Sequence, residues 1–258
     1  MEVLILRLQA PLMSFGETKI DNISPTIMFP GASMIAGFLA NALGFDHAEA
    51  ECTQRLQDRL ILASRQDLAG KLLVDYQTVD LSQPRIAQAW TTYGKVEKHG
   101  GSVNDGTHQR WVYYISDAVY TVAVALGRKI EPDDPRVQDL AVALRHPARP
   151  IFFGRKSCVP SAPPLLGLIE ADNVLHALQQ VPFSERCLAA DGRLLAQWPA
   201  HLGLDMNAHV TRIADKKDWK NRVHLGRTSV RQGLLKVTPS WSCFVWHVRK
   251  DVQAILSP

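Results

Sequence analysis

Apolar periodicity along this chain switches between a two-residue and a helical repeat, and the order of those switches limits the folds open to it. Val3 to Leu8 alternates and is rich in branched residues, which predicts a buried first strand rather than a signal peptide, since no basic lead or small-residue cleavage site accompanies it. After a loop carrying Pro11, Gly16, Pro25 and Pro30, the run Ser33 to Leu43 predicts a helix with Ser33 as N-cap and Gly44 as its stop. Gly37 and Ala40 on that helix are small enough for close packing. Glu49 to Leu60 repeats at a looser helical period. Strands are predicted over Leu60 to Ser64, Leu72 to Thr78, Trp111 to Ser116 and Ala118 to Leu126. A helix over Asp134 to Arg145, a strand over Leu165 to Ile169 and a helix over Asp172 to Gln180 follow, and from Val181 the pattern turns irregular. The succession strand, helix, strand, strand, helix, strand is compatible with an α+β, ferredoxin-like βαββαβ unit carrying insertions.

A chain of 258 residues suits one large domain or one domain with appendages. The principal insertion is the polar, glycine-bearing stretch at 77–110, with Gly94, Gly100, Gly101 and Gly106 and the basic residues Arg85, Lys95, Lys98 and Arg110. A stretch this long without apolar periodicity is uncommon inside a compact domain, and an arm or β-hairpin projecting from the body fits it. No apolar run approaches the roughly 20 residues of a membrane-spanning helix. Cys52, Cys158, Cys187 and Cys243 form no C-x-x-C pair, which fits free thiols in a reducing cytoplasm.

The charge is uneven. Between Thr211 and Lys236 stand eight basic residues against two acids, so this segment carries +6 while the chain as a whole carries +4. A basic island on a near-neutral body is an electrostatic footprint for a polyanion, although a solvated basic face has the same composition.

Catalytic motifs find little support. Gly154-Arg155-Lys156-Ser157 resembles the end of a phosphate-binding loop, but the position before the lysine is Arg where that motif requires Gly. Gly31-Ala32-Ser33 starts like a nucleophile elbow and then has Ile35 in place of Gly. The nine histidines contain no H-x-x-x-H pair, which argues against a zinc site. His99 and His108 flank the arm as exposed loop histidines. The expectation is no catalytic residue, no metal and no cofactor.

Six segments in order carry a resemblance to one family. They are Leu4-Ile5-Leu6-Arg7-Leu8 through Phe15-Gly16; Phe29-Pro30-Gly31 through Leu43-Gly44; Asp75-Tyr76-Gln77-Thr78-Val79; Tyr113 through Val122; Phe153-Gly154-Arg155-Lys156-Ser157-Cys158; and Asp218-Trp219-Lys220-Asn221-Arg222-Val223-His224. Together they resemble the type I-E CRISPR-associated CasD (Cas-five) family. The resemblance implies a ferredoxin-like (RRM/RAMP-type) core across 1–258, a long β-hairpin thumb at 77–110, an irregular C-terminal part and a tail at 237–258 with no counterpart in the family. It implies a non-catalytic subunit of the Cascade complex that binds the 5′ handle of the crRNA. Its expected partners are the repeated backbone subunit and the large subunit, with target double-stranded DNA met indirectly, in the cytoplasm. A sister branch in type I-C systems cuts precursor crRNA without a metal, and that endoribonuclease activity is the alternative; a protein–protein scaffold whose basic island meets an acidic partner is a third reading.

The expected RNA-binding residues are Ser33, Tyr76, Arg85, Lys95, Lys98, Arg110, Arg155, Lys156, Lys217, Arg222, His224 and Arg227. Exposed bases suit phosphates. Ser33 is first a helix cap and second a phosphate ligand, beside helix N-terminal amides that can themselves take a phosphate. Tyr76 is either a base-stacking platform or a packing residue, and Trp111 is expected in the core. The chain departs from the family at Ala10, Phe15, Gly31-Ala32 and Gln77, and Gly31-Ala32 removes a basic residue from the start of the first helix.

Overall fold

The computed structural model describes residues 1–19, 21–46, 48–80, 88–90, 93–98, 107–187 and 191–237. In chain order its elements are β1 (Glu2–Met13), β2 (Ile23–Ser24), α1 (Ala32–Leu43), α2 (Ala50–Arg59), β3 (Leu60–Leu68), β4 (Lys71–Asp80), β5 (Gln88–Trp90), β6 (Val96–Lys98), β7 (Thr107–Leu126), α3 (Val137–Arg145), β8 (Leu165–Glu170), α4 (Val174–Gln180), β9 (Arg193–Pro199), β10 (Ala208–Ile213), β11 (Lys217–Asp218), β12 (Val223–His224) and β13 (Thr228–Lys236). This is an α+β fold with few helices around one large, mostly antiparallel sheet.

The sheet runs β10-β13-β9-β3-β7-β1-β8, with β2 and β4 also paired to β7. Among the described residues only the short β2–β7 pairing is parallel. Strand periodicity sorts the core into two halves. Leu4, Leu6, Leu8 and Ala10 of β1 face one way, with Ile35, Phe38 and Leu39 of α1 and Leu140 and Leu144 of α3 in the same cluster. Val3 and Ile5 face the other way, with Val174, Leu175 and Leu178 of α4 and Trp198 of β9. The two-residue alternation of a strand is what lets one segment serve both layers.

Several sequence expectations change in detail. The first helix begins at Ala32 with Gly31 as N-cap, so Ser33 is the second helical residue and not the cap. The strands expected on either side of Asp117 are one, β7, within which Asp117 has a φ of 54°. Beyond Val181, among the described residues, loops and turns alternate with β9, β13 and β10, which extend the sheet in antiparallel register, Val230 to Lys236 pairing with Pro199 to Arg193. The helices expected from Asp134 and Asp172 start later, at Val137 and Val174. Asp134 is instead buried in the turn before α3, accepting from the Ile130 and Glu131 amides and the Arg55 guanidinium. Burial opposes its ionisation, but those donors outweigh the cost and hold its carboxyl at about 2.

From Lys71 to Asp80, β4 pairs with Ser116 to Thr107 of β7, forming two arms of a long hairpin. The hairpin lies partly within the expected arm at 77–110; Arg85 and most of the residues between the two arms lie outside the described residues, as does the tail from 238 onward with Trp241, Phe244, Trp246 and Arg249.

The loop Phe153–Cys158 docks against the end of β1, with Ser14 N–H donating to the Phe153 carbonyl. Gly154 has φ +92°, and a Cβ there would lie 1.6 Å from the Ser14 carbonyl oxygen. Only glycine permits both that conformation and that approach.

A candidate nucleic-acid interface

The basic segment is held in place by an acid and a tryptophan. Asp215, buried just beyond β10, reaches the start of α1: its Oδ2 accepts the Ala32 N–H at 3.2 Å and its carbonyl accepts the Ser33 N–H at 2.8 Å. Thr228 at the start of β13 donates to the other carboxylate oxygen. Asp215 thus supplies the capping acceptor that Gly31 lacks, and a carboxylate at a helix N-terminus is favoured by the helix dipole. The expectation that the first amides of α1 are open to phosphate is corrected: the Ala32 and Ser33 amides are occupied by Asp215. A Cβ on Gly31 would stand 2.7 Å from the Asp215 Cβ, so glycine is what admits the acid.

Trp219 is the second anchor. Its indole lies on Gly37 of α1, where a Cβ would meet Cη2 at 2.9 Å. Trp219 Nε1 donates to Gln57 Oε1 at 3.1 Å and its backbone N–H donates to Gln54 Oε1 at 3.1 Å. Gln57 also grips the backbone of Lys217 from both sides, accepting from its N–H and donating to its carbonyl. The small residue noted at Gly37 therefore makes room for a side chain 182 positions away. Trp219→Ala is expected to lower the unfolding free energy by about 2 kcal/mol, for an indole half-buried in this seat. Urea denaturation measures it, and a loss below about 0.5 kcal/mol would mean that the segment is held by other contacts.

Between these anchors and β13, the β11–β12 hairpin pairs Lys217 with His224 and Asp218 with Val223. Arg222 lies in its turn, exposed, with φ 59°. The Lys217 ammonium sits 4.9 Å from the centre of the Trp219 ring. Burial, and then the neighbouring Arg222, lower the Lys217 pKa. His224 is half-buried, and its Nδ1 has no hydrogen-bond partner among the described residues; burial, and then Lys217, lower its pKa against the opposing pull of Glu17. Lys217, Arg222 and His224 are thus brought together, with exposed Arg227 three residues past β12. Two cationic side chains and an imidazole form a compact anion-attracting surface, with Arg227 following it in the chain.

The remaining candidates are spread elsewhere. Arg155 is expected as an open phosphate ligand, but its guanidinium donates to the carbonyls of Tyr113 at 2.9 Å and Ser24 at 3.0 Å and lies 4.8 Å from the Tyr114 ring centre. It ties the loop to β7 and β2, and the exposed neighbour Lys156 is the base that faces solvent. Tyr76 is 52% exposed and packs at 5.3 Å against Trp111, its partner across the hairpin. Trp111 is therefore half-buried on the arm rather than in the core. Arg110 is exposed beside them, and Lys95 is exposed near β6, which contains Lys98. Sequence reasoning missed Asp215, Gln54 and Gln57 as organisers of the basic surface. Among the described residues no group of three or more His, Cys, Asp and Glu could hold a metal ion, and no helix is long and apolar enough to cross a membrane.

A family model described as CRISPR-associated protein (Cas_Cas5) matches residues 3–238. The CRISPR system Cascade subunit CasD of Escherichia coli (strain K12) is 31% identical over 176 residues, which cover 68% of this chain and 75% of that protein. A chain of a solved CRISPR RNA-guided surveillance complex has the same fold, with a TM-score of 0.67 at 23% identity over 93% of this chain and 95% of that one. A crystal structure of a Cas protein aligns with a TM-score of 0.60 at 27% identity, over 92% of this chain and 98% of that one.

Proposed function

The chain belongs to the CRISPR-associated Cas5 family, of the type I-E kind, and from that premise we propose that it is the non-catalytic Cascade subunit that binds the 5′ handle of the crRNA. The observation that carries the proposal is the β11–β12 surface, where Lys217, Arg222 and His224 converge on a hairpin fixed to α1 and α2 by Asp215, Trp219 and Gln57. A cationic surface held rigidly by buried neutral and acidic anchors favours phosphates without reading sequence.

Two features of the fold support the finer reading. The order β3-β7-β1-β8, with helices connecting β1 to β3 and β7 to β8, supports reading the core as a split βαβ, ferredoxin-like unit. The β4–β7 hairpin, with Tyr76, Trp111 and Arg110 on its arms, is in this reading the thumb that lies against the RNA, and Lys95 and Lys98 belong to the same arm. Arg155 acts by holding its loop, and Lys156 contacts phosphate. The protein works in the cytoplasm with the repeated backbone subunit and the large subunit, and meets target DNA through the assembled complex.

Incubation of the purified protein with precursor repeat RNA in EDTA tests the non-catalytic half. The RNA is expected to be retained and to remain intact. Cleavage at a single position in the repeat would place the protein instead with the metal-independent endoribonucleases of type I-C systems.

A further inference from the structure

A cleft of about 310 Å³ lies between the loop Thr26–Phe29 and the sheet, lined also by Gln66, Leu195, Gln197, Ile213 and Gln232. Among the described residues no charged side chain lines it. Its floor crosses three neighbouring strands: Gln66 on β3, Gln197 on β9 and Gln232 on β13, the last two directly paired in register. Leu195 lies two residues from Gln197 on the same face of β9.

The hydrogen bonding of these amides is incomplete in an ordered way. Tyr120 Oη donates to the Met28 carbonyl at 2.7 Å, so it accepts from Gln66 Nε2 at 3.0 Å, and this fixes which end of the Gln66 amide remains. Gln232 Nε2 donates to Gln197 Oε1 at 2.8 Å. Gln66 Oε1, Gln197 Nε2 and Gln232 Oε1 then have no protein partner among the described residues and are left open to the cleft. If both amides of the Gln197–Gln232 pair are turned over, one donor and one acceptor still remain side by side.

A neighbouring donor and acceptor, flanked by Met28, Leu195 and Ile213, is complementary to the edge and faces of a heterocyclic base. A single glutamine amide reads a base edge through one donor and one acceptor, here supplied by two neighbouring amides, and single-stranded RNA is read by splayed bases hydrogen-bonded on their edges. The absence of a lining charge disfavours phosphate. The volume, about ten waters at roughly 30 Å³ each, is that of one nucleoside and too small for a peptide helix. We propose that this cleft seats a single unstacked nucleobase of the guide RNA, read by Gln197 and Gln232 with Gln66 as a further acceptor. The inference rests on the RNA-binding reading above and deepens it by adding a base-reading site to a phosphate-binding surface. Ile213 ends β10 two residues before Asp215, where the basic segment begins its path to β11.

The test uses the full-length protein and single-stranded RNA of the repeat-derived 5′ segment, with each nucleotide made abasic in turn. One position is expected to weaken binding to the wild-type protein by about tenfold. The double variant Gln197→Leu, Gln232→Leu should bind intact RNA about tenfold more weakly, lose the penalty at that position and keep the wild-type salt dependence. Leu195→Trp, at a side chain 42% exposed at the cleft, should reproduce the effect without altering the amides. A flat abasic scan with intact RNA still bound, or an unchanged penalty at that position in the folded variants, overturns the base site alone. Failure of the wild-type protein to bind the intact RNA overturns the handle reading and the base site together.

Discussion

Asp67→Ala is expected to destabilise the protein by about 3–5 kcal/mol, the cost of leaving buried cations without their counter-charge. Asp67 and Arg65 of β3 both have side-chain exposures of 0%, and Arg65 Nε lies 2.8 Å from Asp67 Oδ1. The other carboxylate oxygen accepts the Thr121 hydroxyl at 2.9 Å and the Ser184 N–H at 2.6 Å, with the Arg7 guanidinium at 3.4 Å. Arg65 in turn donates to the carbonyls of Leu178, Val181 and Pro182 at the end of α4. Burial lowers the pKa of Arg7, and Asp67 is the largest opposing influence. The network therefore ties β1, β3 and β7 to the turn that closes α4 over the second half of the core. Removing the carboxylate leaves the Arg65 guanidinium in a dry setting with only carbonyl partners among the described residues, and takes from Arg7 the largest of the charges that favour its cation. Asp67→Asn, which keeps the shape and loses the charge, should fall between wild type and Asp67→Ala. Urea denaturation of the three proteins measures the series, and a loss under about 1 kcal/mol for Asp67→Ala would show that the carbonyls alone satisfy the arginines.

The second large effect is on RNA. Replacing Lys156, Arg222 and Arg227 together with glutamine removes three exposed charges while leaving Asp215, Trp219 and Gln57 to hold the hairpin. Charge-assisted hydrogen bonds are worth about 1.5–3 kcal/mol each in favourable settings and less at exposed ones. An affinity loss on the order of a hundredfold for the handle RNA is expected at low salt, with little change in stability. The loss should shrink as salt rises, because phosphates screened by counterions gain less from each added cation.

Much of the first half of the fold was legible because its apolar periods are clean. Leu4, Leu6 and Leu8 mark a strand, and Met34 to Leu43 mark a helix, whatever surrounds them. The segment Ser64-Arg65-Gln66-Asp67 is different: it is polar by composition and buried in fact. Its burial depends on Thr121, Leu178 and Ser184, which no local pattern reveals. The same holds for β9, β10 and β13, whose Gln197, Thr211 and Gln232 interrupt the apolar alternation on the face that forms the cleft.

The site was legible as a segment and not as an arrangement. Charge density located Lys217, Arg222 and Arg227, and the Trp219-containing motif placed His224 with them. Asp215, counted as one of two acids diluting the island, turned out to be the cap of a helix 183 positions earlier. Arg155 has the composition of a surface base, yet its two carbonyl acceptors come from Tyr113 and Ser24, on strands brought beside it only by the sheet. Residue type indicates what a side chain can bind, whereas long-range packing decides what it does bind.

The central claim, that this protein holds the handle of a guide RNA through a fixed cationic surface, is tested most directly by a salt titration of handle-RNA binding to the wild-type protein and the Lys156, Arg222, Arg227 triple variant. The account predicts a steep linear fall of log affinity with log salt for the wild type, and a slope shallower by about 2 for the triple variant, near 0.7 for each lost phosphate contact on a single strand. Absence of binding by the wild-type protein, or equal slopes for the two proteins, would contradict it.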